Sequence, residues 1–358
     1  IYKDMDPIKE ALTFDDVTLA PKFSNVLPSD VITDTVLSNT LNLKIPLITS
    51  AMDTVTESRM AIAVAKAGGL GVIHRNMSII DQISEIKKVK SKKLIVGAAV
   101  GAGDNELQRA KAILKNKVDL IVVDTAHGHT EKVADIIKKI IKIKPKNISL
   151  CAGNVATAEA ARFLIKLGVN IIKVGIGPGS ICTTRLVAGI GVPQLSAILN
   201  VRSGVNKKNI SIIADGGIKF SGDIAKALAA GADAVMIGSL FAGTDEAPGK
   251  IVKRSGKLYK SFRGMGSIGA MNRGSADRYF QKKQKIKSKY VPEGVEGYVK
   301  YKGKVEKIFY QLIGGLKSSM GYLGAKKIKI LRENPKFVKI TKAGFYESMV
   351  HNIDEIKK

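Results

Sequence analysis

The sequence contains little cysteine and few aromatic residues. It has two cysteines, Cys151 and Cys182, no tryptophan, and an aromatic content of 5%. Two cysteines are too few for the disulfide framework of a small secreted scaffold. A chain this poor in aromatic side chains also offers little of the stacking surface that single-stranded nucleic-acid binders use for bases. The composition therefore argues against both classes.

Long apolar runs are absent as well. No stretch approaches the ~20 apolar residues that cross a bilayer, and the first ten residues, IYKDMDPIKE, lack the apolar segment of a signal peptide. We therefore expect a cytoplasmic protein without a membrane partner. With 45% hydrophobic and 25% charged residues, the 358-residue chain has a globular composition, which excludes wholesale disorder.

Acidic residues are scarce relative to basic ones. The chain has 31 acidic and 58 basic residues, giving a net charge of +27. Such an excess often indicates a nucleic-acid or other anionic partner. Most of the basic residues are lysines, which lack the bidentate fork of arginine and are spread along the chain. We interpret the charge mainly as solvated surface and do not expect nucleic acid to be the main partner.

Short β-branched runs alternate with segments of helical periodicity. The eight runs are residues 45–49, 70–73, 94–99, 120–123, 148–152, 171–174, 210–214 and 234–237. The helical segments between them include residues 59–66, 106–115, 132–143, 158–167 and 223–230. Eight such units predict an α/β fold, a (β/α)8 TIM barrel, with residues 1–358 forming a single catalytic domain.

The chain continues well beyond the eighth unit. Residues 257–305 are rich in glycine and lysine and only weakly periodic, so we predict a mobile finger or flap inserted after strand eight. A closing helix is expected over residues 306–316, followed by a tail from residue 335.

A TIM barrel carries its chemistry at the carboxyl ends of its strands. Polar residues follow several of the predicted strands there, among them Asp53, Asp124, Asn154 and Asp215. Turn formation accounts for many of the neighbouring glycines but not for these four polar side chains together. The sequence therefore predicts a functional site at this end of the barrel.

The most informative loop is residues 175–185, GIGPGSICTTR, after the sixth strand. Glycines let a backbone approach a ligand or ion closely. A helix N-terminus or a nearby cation favours the thiolate, which is the nucleophilic form of cysteine. Cys182 is therefore a candidate nucleophile, although residue type alone fits an inert buried thiol equally well. Cys151, within an apolar run, is expected to be inert.

Two further loops predict a phosphorylated ligand. They are residues 214–218, ADGGI, and 237–239, IGS, after strands seven and eight. Many barrels bind phosphate at this place through backbone N–H groups. Because a carboxylate repels phosphate, Asp215 is expected to accept hydrogen bonds from sugar hydroxyls. This pairing points to a nucleotide or a sugar phosphate.

Other residues suggest weaker alternatives. A desolvated Lys173 on strand six could form a Schiff base, as in an aldolase. His127 and His129 could contribute to a metal site, but the loop offers no matched third ligand.

As an ordered set, the motifs resemble the IMP dehydrogenase family. They are LTFDDV (12–17), SAMDTVTE (50–57), the Cys182 loop, ADGG (214–217), RGMGS (263–267), DRYFQ (277–281), PEGVEG (292–297) and YES (346–348). The resemblance covers essentially the whole chain. It implies NAD-dependent oxidation of IMP to XMP for guanine nucleotide synthesis, through a covalent Cys182 thioimidate that water then hydrolyses.

The resemblance also implies roles for individual residues. The catalytic set is Cys182, Thr184, Arg278, Tyr279 and Glu293. Contacts to IMP are implied for Ser50, Met52, Ser180, Asp215, Gly217, Gly238, Ser239, Phe262, Gly264, Met265, Gly266 and Glu293. Contacts to NAD are implied for Asp124, Thr125, Asn154 and Gly175. A potassium ion (K+) is implied at Gly177, Gly179 and Cys182, completed by Glu347, Ser348 and Met349 of a neighbouring subunit in a homotetramer.

The chain departs from the family pattern in two places. The cystathionine-β-synthase-type (CBS) regulatory pair is missing near residues 90–94, and Phe262 stands where the family commonly has tyrosine. The lost hydroxyl would remove one phosphate contact. GMP reductases share the barrel and the cysteine loop but lack the 275–279 segment, so they are the nearest alternative. A non-catalytic nucleic-acid-binding barrel would leave Cys182 without a role.

Overall fold

The computed structural model describes residues 8–205, 209–282, 284 and 286–352. Three short strands come first: β1 (Val17–Leu19), β2 (Thr35–Ser38) and β3 (Leu41–Leu43). Eight parallel strands then close into a barrel, in which their order around the ring is their order along the chain. They are β4 (Leu47–Thr49), β5 (Leu70–Ile73), β6 (Gly97–Val100), β7 (Leu120–Asp124), β8 (Ser149–Val155), β9 (Ile171–Val174), β10 (Ser211–Asp215) and β11 (Ala234–Ile237). The predicted (β/α)8 barrel is confirmed.

Helices follow the barrel strands along the chain. They are α1 (Ser58–Lys66), α2 (Ile79–Lys90), α3 (Glu106–Lys115), α4 (Glu131–Ile143), α5 (Ala158–Lys166), α6 (Thr184–Val187), α7 (Gln194–Ser203), α8 (Ser221–Ala229) and α9 (Ser239–Ala242). Several begin at a hydroxyl cap: the side chain of Thr130 accepts from the Val133 amide, and that of Thr157 accepts from the Ala160 amide. These caps fix where the chain leaves the loop and turns back along the strand.

Most of the predicted element boundaries agree with the structure. Residues 70–73, 171–174 and 234–237 are strands as predicted, and α3 matches its predicted range. Strand β8 differs, because it continues to Val155 and takes Gly153 and Asn154 into the ladder. The polar Asn154 is therefore presented by a strand end and not by a loop.

A hairpin closes the end of the barrel opposite the site. Leu37, Leu41 and Leu43 of β2 and β3 pack on the inward-facing residues of the barrel strands. Polar contacts fix this hairpin at the amino ends of the strands, including a 2.6 Å hydrogen bond between the hydroxyls of Ser38 and Ser149. The barrel interior is thus a packed core that is closed at the amino ends of the strands, and the end that carries the loops is left for the site.

The residues after β11 include a part that reaches the barrel mouth and a long helix that packs against α1 and α8. They contain β12 (Ile251–Arg254), β13 (Lys257–Arg263), α10 (Ile268–Ala270), β14 (Glu296–Lys300), α11 (Val305–Tyr322), α12 (Ile328–Leu331), β15 (Phe337–Lys339) and α13 (Lys342–Glu347). Strands β12, β13 and β14 make a small antiparallel sheet. We call the segment between β13 and β14, residues 264–295, the flap. It reaches the barrel mouth, where Arg278 contacts Asp124.

Helix α11 is longer than the predicted 306–316. Its buried face runs from Phe309 to Met320 at helical spacing. Two glycines in the middle lower the helix propensity of the sequence. Gly315 is required by packing, because a Cβ there would lie 2.1 Å from the hydroxyl of Ser221 on α8. Within the predicted tail, β15 pairs with β1 and ties the two terminal regions together.

The connection from α2 to β6 is direct. Helix α2 ends at Lys90, Ser91 caps it, and the chain enters β6 at Gly97. The residues near 90–94 therefore form a short helix-to-strand turn. Among the described residues, no helix is both long and apolar enough to cross a membrane.

Candidate active site

A large cavity opens at the carboxyl ends of the barrel strands. It is lined by most of the residues that the sequence predicts for the site. Those on its wall are Ser50, Met52, Asp124, Asn154, Gly175, Gly177, Gly179, Ser180, Cys182, Thr184, Asp215, Gly217, Gly238, Ser239, Phe262, Gly264, Met265, Arg278, Tyr279 and Glu293. The structure thus brings together residues from all four predicted groups: catalytic, IMP-binding, NAD-binding and potassium-binding.

Some predicted residues lie outside the cavity wall. They are Thr125, Gly266, Glu347, Ser348 and Met349. Thr125 is buried and its hydroxyl donates to the Gly153 carbonyl at 2.8 Å. Gly266 lies behind Tyr279, since a Cβ there would be 2.8 Å from the tyrosine ring. The residues near 347 end α13, which contacts the turn at Phe14–Asp16 of the same chain.

Cys182 is positioned by a loop held from two sides. The loop turns at Gly177, whose φ of +81° is a conformation that glycine adopts readily, and the amide of Cys182 donates to the Gly179 carbonyl. On the other side, the Thr183 amide donates to the Glu293 carbonyl of the flap at 2.9 Å. The Cys182 thiol is partly exposed to the cavity and lies 3.2 Å from the Thr184 hydroxyl. A hydroxyl is therefore within reach of the thiol proton.

Cys151 has the opposite environment. It is fully buried on β8 within the barrel core, and burial raises the pKa of its thiol to about 12. The two thiols therefore differ in their access to solvent.

We expect iodoacetamide at pH 8 to modify one of the two thiols. Mass spectrometry of the native protein should show carbamidomethylation on Cys182 and none on Cys151, because alkylation requires an accessible thiolate. In denaturant both should react. Modification of native Cys151 at a comparable rate would show that the barrel core is open to solvent.

Lys173 lies below the cavity in a buried polar cluster. Its ammonium is 2.8 Å from the Asp124 carboxylate and 2.6 Å from that of Asp215, and it also donates to the Asn154 side-chain oxygen. Burial lowers the pKa of Lys173, but the two carboxylates outweigh it and the net shift is upward. A Schiff base requires a neutral amine. The aldolase hypothesis is therefore wrong for this site.

The cluster also explains how Asp124 and Asp215 are fixed. Each carboxylate is anchored from below by the same ammonium, so neither rotates freely. Sequence analysis found the two aspartates but not the lysine as their partner. The sequence did contain a signal for this partnership, since Lys173 is an isolated charged residue inside an apolar strand. A buried charge requires a counter-charge, so an acidic partner could have been expected.

The flap reaches the other side of the cavity. The Arg278 guanidinium forms an ion pair with Asp124, and the Ala126 amide donates to the Arg278 carbonyl at 3.0 Å. Burial raises the pKa of Asp124, but Arg278 and Lys173 hold it below its ordinary range. The pKa of Arg278 is likewise raised by Asp124 against the effect of burial. In this conformation Arg278 is therefore a cation.

Tyr279 is also enclosed by the flap. Burial raises the pKa of its hydroxyl to about 12, so the phenol stays protonated at neutral pH. It can donate a hydrogen bond but does not act as a phenolate there.

The loops after β10 and β11 form the third side. Gly216 and Gly217 have φ values of +94° and +85°, which turn the backbone sharply after Asp215. Gly238 follows β11 and Ser239 begins α9. The first of these loops packs on the cysteine loop, since a Cβ at Gly216 would lie 3.0 Å from the Pro178 ring. Both loops line the same cavity as Cys182, which suits a ligand that carries a phosphate as well as a reacting centre.

The histidine loop does not form a metal centre. Among the described residues, no group of three or more histidine, cysteine or acidic side chains is placed to bind a metal. The ring of His129 instead packs on Phe163, with centroids 4.6 Å apart.

The match to known proteins covers nearly the whole chain. A family model described as IMP dehydrogenase / GMP reductase domain matches residues 11–351. The chain belongs to this family. The inosine-5'-monophosphate dehydrogenase of Borreliella burgdorferi is 49% identical over 398 residues, covering 97% of this chain and 98% of the relative. That of Cryptosporidium parvum is 47% identical over 395 residues, covering 98% and 97%.

Longer members of the family carry residues that this chain lacks. The inosine-5'-monophosphate dehydrogenase of Aquifex aeolicus is 41% identical over 475 aligned positions, covering 97% of this chain and 96% of the relative. The present chain has 358 residues, so the longer relative includes segments without a counterpart here. This agrees with a family member that lacks the regulatory modules.

Proposed function

We propose that this protein is an IMP dehydrogenase, oxidising IMP to XMP with NAD. One observation carries the proposal: the partly exposed Cys182 thiol lies in a cavity bounded by glycine turns on one side and by Asp124 and the flap on the other. The curated relatives named above bear the same activity in their names. A GMP reductase lacks the 275–279 flap segment, which is present here and contacts Asp124 through Arg278.

The first half of the reaction would take place at Cys182. Its sulfur forms a bond to C2 of the purine, and the hydride departs from C2 with its electron pair to the nicotinamide, which supplies the oxidising power when bound. The thiol proton leaves towards the Thr184 hydroxyl, 3.2 Å from the sulfur. The turns at Gly217 and Gly238 hold the phosphate, and Asp215 accepts from the ribose hydroxyls. The product of this half is a thioimidate on Cys182.

NAD would bind where the flap now lies. Asp124, Asn154 and Gly175 form this part of the wall, and a carboxylate is a good acceptor for ribose hydroxyls. Lys173 contacts Asp124 from the barrel side, so this ion pair does not involve the flap. Because Arg278 occupies the same carboxylate, a closed flap and a bound NAD exclude each other. The flap therefore closes only after NADH has left.

The second half is hydrolysis under the closed flap. Water attacks C2, the carbon–sulfur bond breaks, and XMP is released with the thiol restored. Arg278, Tyr279, Thr184 and Glu293 all line the cavity at this stage. The raised pKa of Arg278 opposes its action as a base, so Asp124 sets how readily that proton is lost. The Thr184 hydroxyl, next to the sulfur, offers the alternative proton path.

We also propose a potassium ion at the turn that carries Cys182. The ligands would be the carbonyls of Gly177, Gly179 and Cys182, since rings of backbone carbonyls suit this cation. The set would be completed by Glu347, Ser348 and Met349 of a neighbouring subunit, which makes a homotetramer part of the proposal. Because the ion would order the cysteine loop, its removal should slow turnover.

The test is NADH formation from IMP and NAD, measured by absorbance in potassium and in sodium buffer. We expect turnover in potassium and a clear decrease in sodium. Consumption of NADPH on addition of GMP, with no reaction of IMP and NAD, would instead assign the protein as a GMP reductase. Equal rates in the two buffers would overturn the potassium site but leave the dehydrogenase in place.

A further inference from the structure

A buried arginine links the barrel to the flap away from the reacting atoms. Arg75 follows β5, and its side chain is only 8% exposed. Its Nη1 lies 3.0 and 3.1 Å from the two carboxylate oxygens of Asp277 on the flap. The same nitrogen is 4.0 Å from Glu106, at the start of α3. Arg75 thus has one acidic partner on the flap and another on the barrel.

The loop after β6 leaves room for this ion pair. A Cβ at Gly101 would lie 2.7 Å from the Arg75 guanidinium carbon and 2.9 Å from an Asp277 oxygen. A Cβ at Gly103 would lie 3.2 Å from the same carboxylate. Side chains at these two positions would crowd the pair, so the glycines permit the flap to seat here.

The pair lies next to the proposed hydrolytic residue. Asp277 directly precedes Arg278 in the chain. Arg75 Nη2, Asn76 Oδ1 and Arg278 Nε are buried without a hydrogen-bond partner among the described residues. The side chains that carry them line one small cavity, together with Asp124 and Ser275. Arg75 is therefore coupled to Arg278 through the backbone of the flap and through this shared polar cavity.

We propose that Arg75 is a positioning residue whose ion pair with Asp277 latches the flap closed and holds Arg278 in place during hydrolysis. The inference rests on the proposed function. When the flap leaves, Arg75 keeps Glu106 as its partner, which matters because a buried charge without a counter-charge is strongly destabilising. The ion pair with Asp277 thus stabilises the closed flap, while the contact with Glu106 limits the free-energy cost of opening it.

Arg75→Gln tests the latch by separating the two halves of the reaction. In stopped-flow experiments with IMP and NAD, the NADH burst should keep its rate within about twofold. Hydrolysis should slow by about 10-fold, the scale of a lost charged hydrogen bond, and acid-quenched protein should retain more radiolabelled IMP. Asp277→Asn should behave alike, and the double variant should be no slower than either single one. Arg75→Lys should restore part of the hydrolysis rate.

Arg109→Gln is the matched control. Arg109 is also largely buried, and its guanidinium hydrogen-bonds to Glu106, Gln82 and Met77, none of which belongs to the flap. Arg109→Gln should leave the ratio of the NADH burst rate to the hydrolysis rate unchanged. Asp277 is one-third exposed, so its variant should fold even if Arg75→Gln does not.

Two results would overturn the latch. One is an Asp277→Asn protein in which hydrolysis is as fast as in the unmodified protein. The other is a proportional loss of the burst and of hydrolysis, which indicates a general structural role. Failure of the proposed function would look different, because the unmodified protein would then produce no NADH from IMP and NAD.

Discussion

Cys182→Ala should lose NADH formation from IMP and NAD by a factor of at least about 1,000, since removing the nucleophile of a covalent mechanism removes the step itself. IMP binding should survive, because the turns at Gly217 and Gly238 and the carboxylate of Asp215 are untouched. Turnover is followed by NADH absorbance and binding by calorimetry with IMP alone.

The side chain of Cys182 makes few structural contacts, so the variant should fold. Its position is fixed by backbone hydrogen bonds to Gly179 and, through Thr183, to Glu293. A residual rate above a few per cent would contradict the nucleophilic role. Loss of IMP binding together with turnover would show instead that the thiol shapes the pocket.

Arg278→Ala should affect the two half-reactions differently. The NADH burst should remain, because hydride transfer takes place with the flap open. Hydrolysis should slow by at least about 100-fold, the lower range for the loss of a general acid or base. Rapid mixing with IMP and NAD, followed by acid quenching, measures the burst and the thioimidate that accumulates after it.

The pH dependence gives a second test of Arg278. Asp124 raises the pKa of this guanidinium above its ordinary value, so the neutral base form is scarce near pH 7 and increases as pH rises. Hydrolysis by the unmodified protein should therefore accelerate with pH, and Arg278→Ala should lose this dependence. Arg273→Ala, an exposed arginine of the same flap, is the control and should change neither rate. Loss of the NADH burst in Arg278→Ala would contradict the assignment of Arg278 to hydrolysis and not to hydride transfer.

Much of the site could be predicted from the sequence because its residues lie in local motifs. The ends of eight strands fall at regular places along the chain, and a closed parallel barrel brings all of those ends to one rim. Asp124, Asn154, Cys182 and Asp215 each follow or end a strand, so their meeting in one cavity required only the fold class. Their individual roles came from the family resemblance.

The partners of those residues could not be predicted in the same way. The sequence places Lys173 on a strand and suggests a Schiff base only as a weaker alternative. Its two carboxylate partners are 49 and 42 residues away in the chain, so they come into contact with it only when the barrel closes. Arg75 and Asp277 are 202 residues apart. Ion pairs of this kind leave no periodic signal in a sequence.

The sequence by itself determined the strands, most of the helices and the glycine turns, because hydrophobic periodicity, capping and backbone freedom act over a few residues. It also marked Cys182 as a candidate nucleophile. Tertiary structure alone decided that Lys173 is a buried counter-ion and that the flap lies on Asp124 with Asp277 against Arg75. Burial and long-range charge pairing set the protonation of these groups, and both exist only once distant segments have packed together.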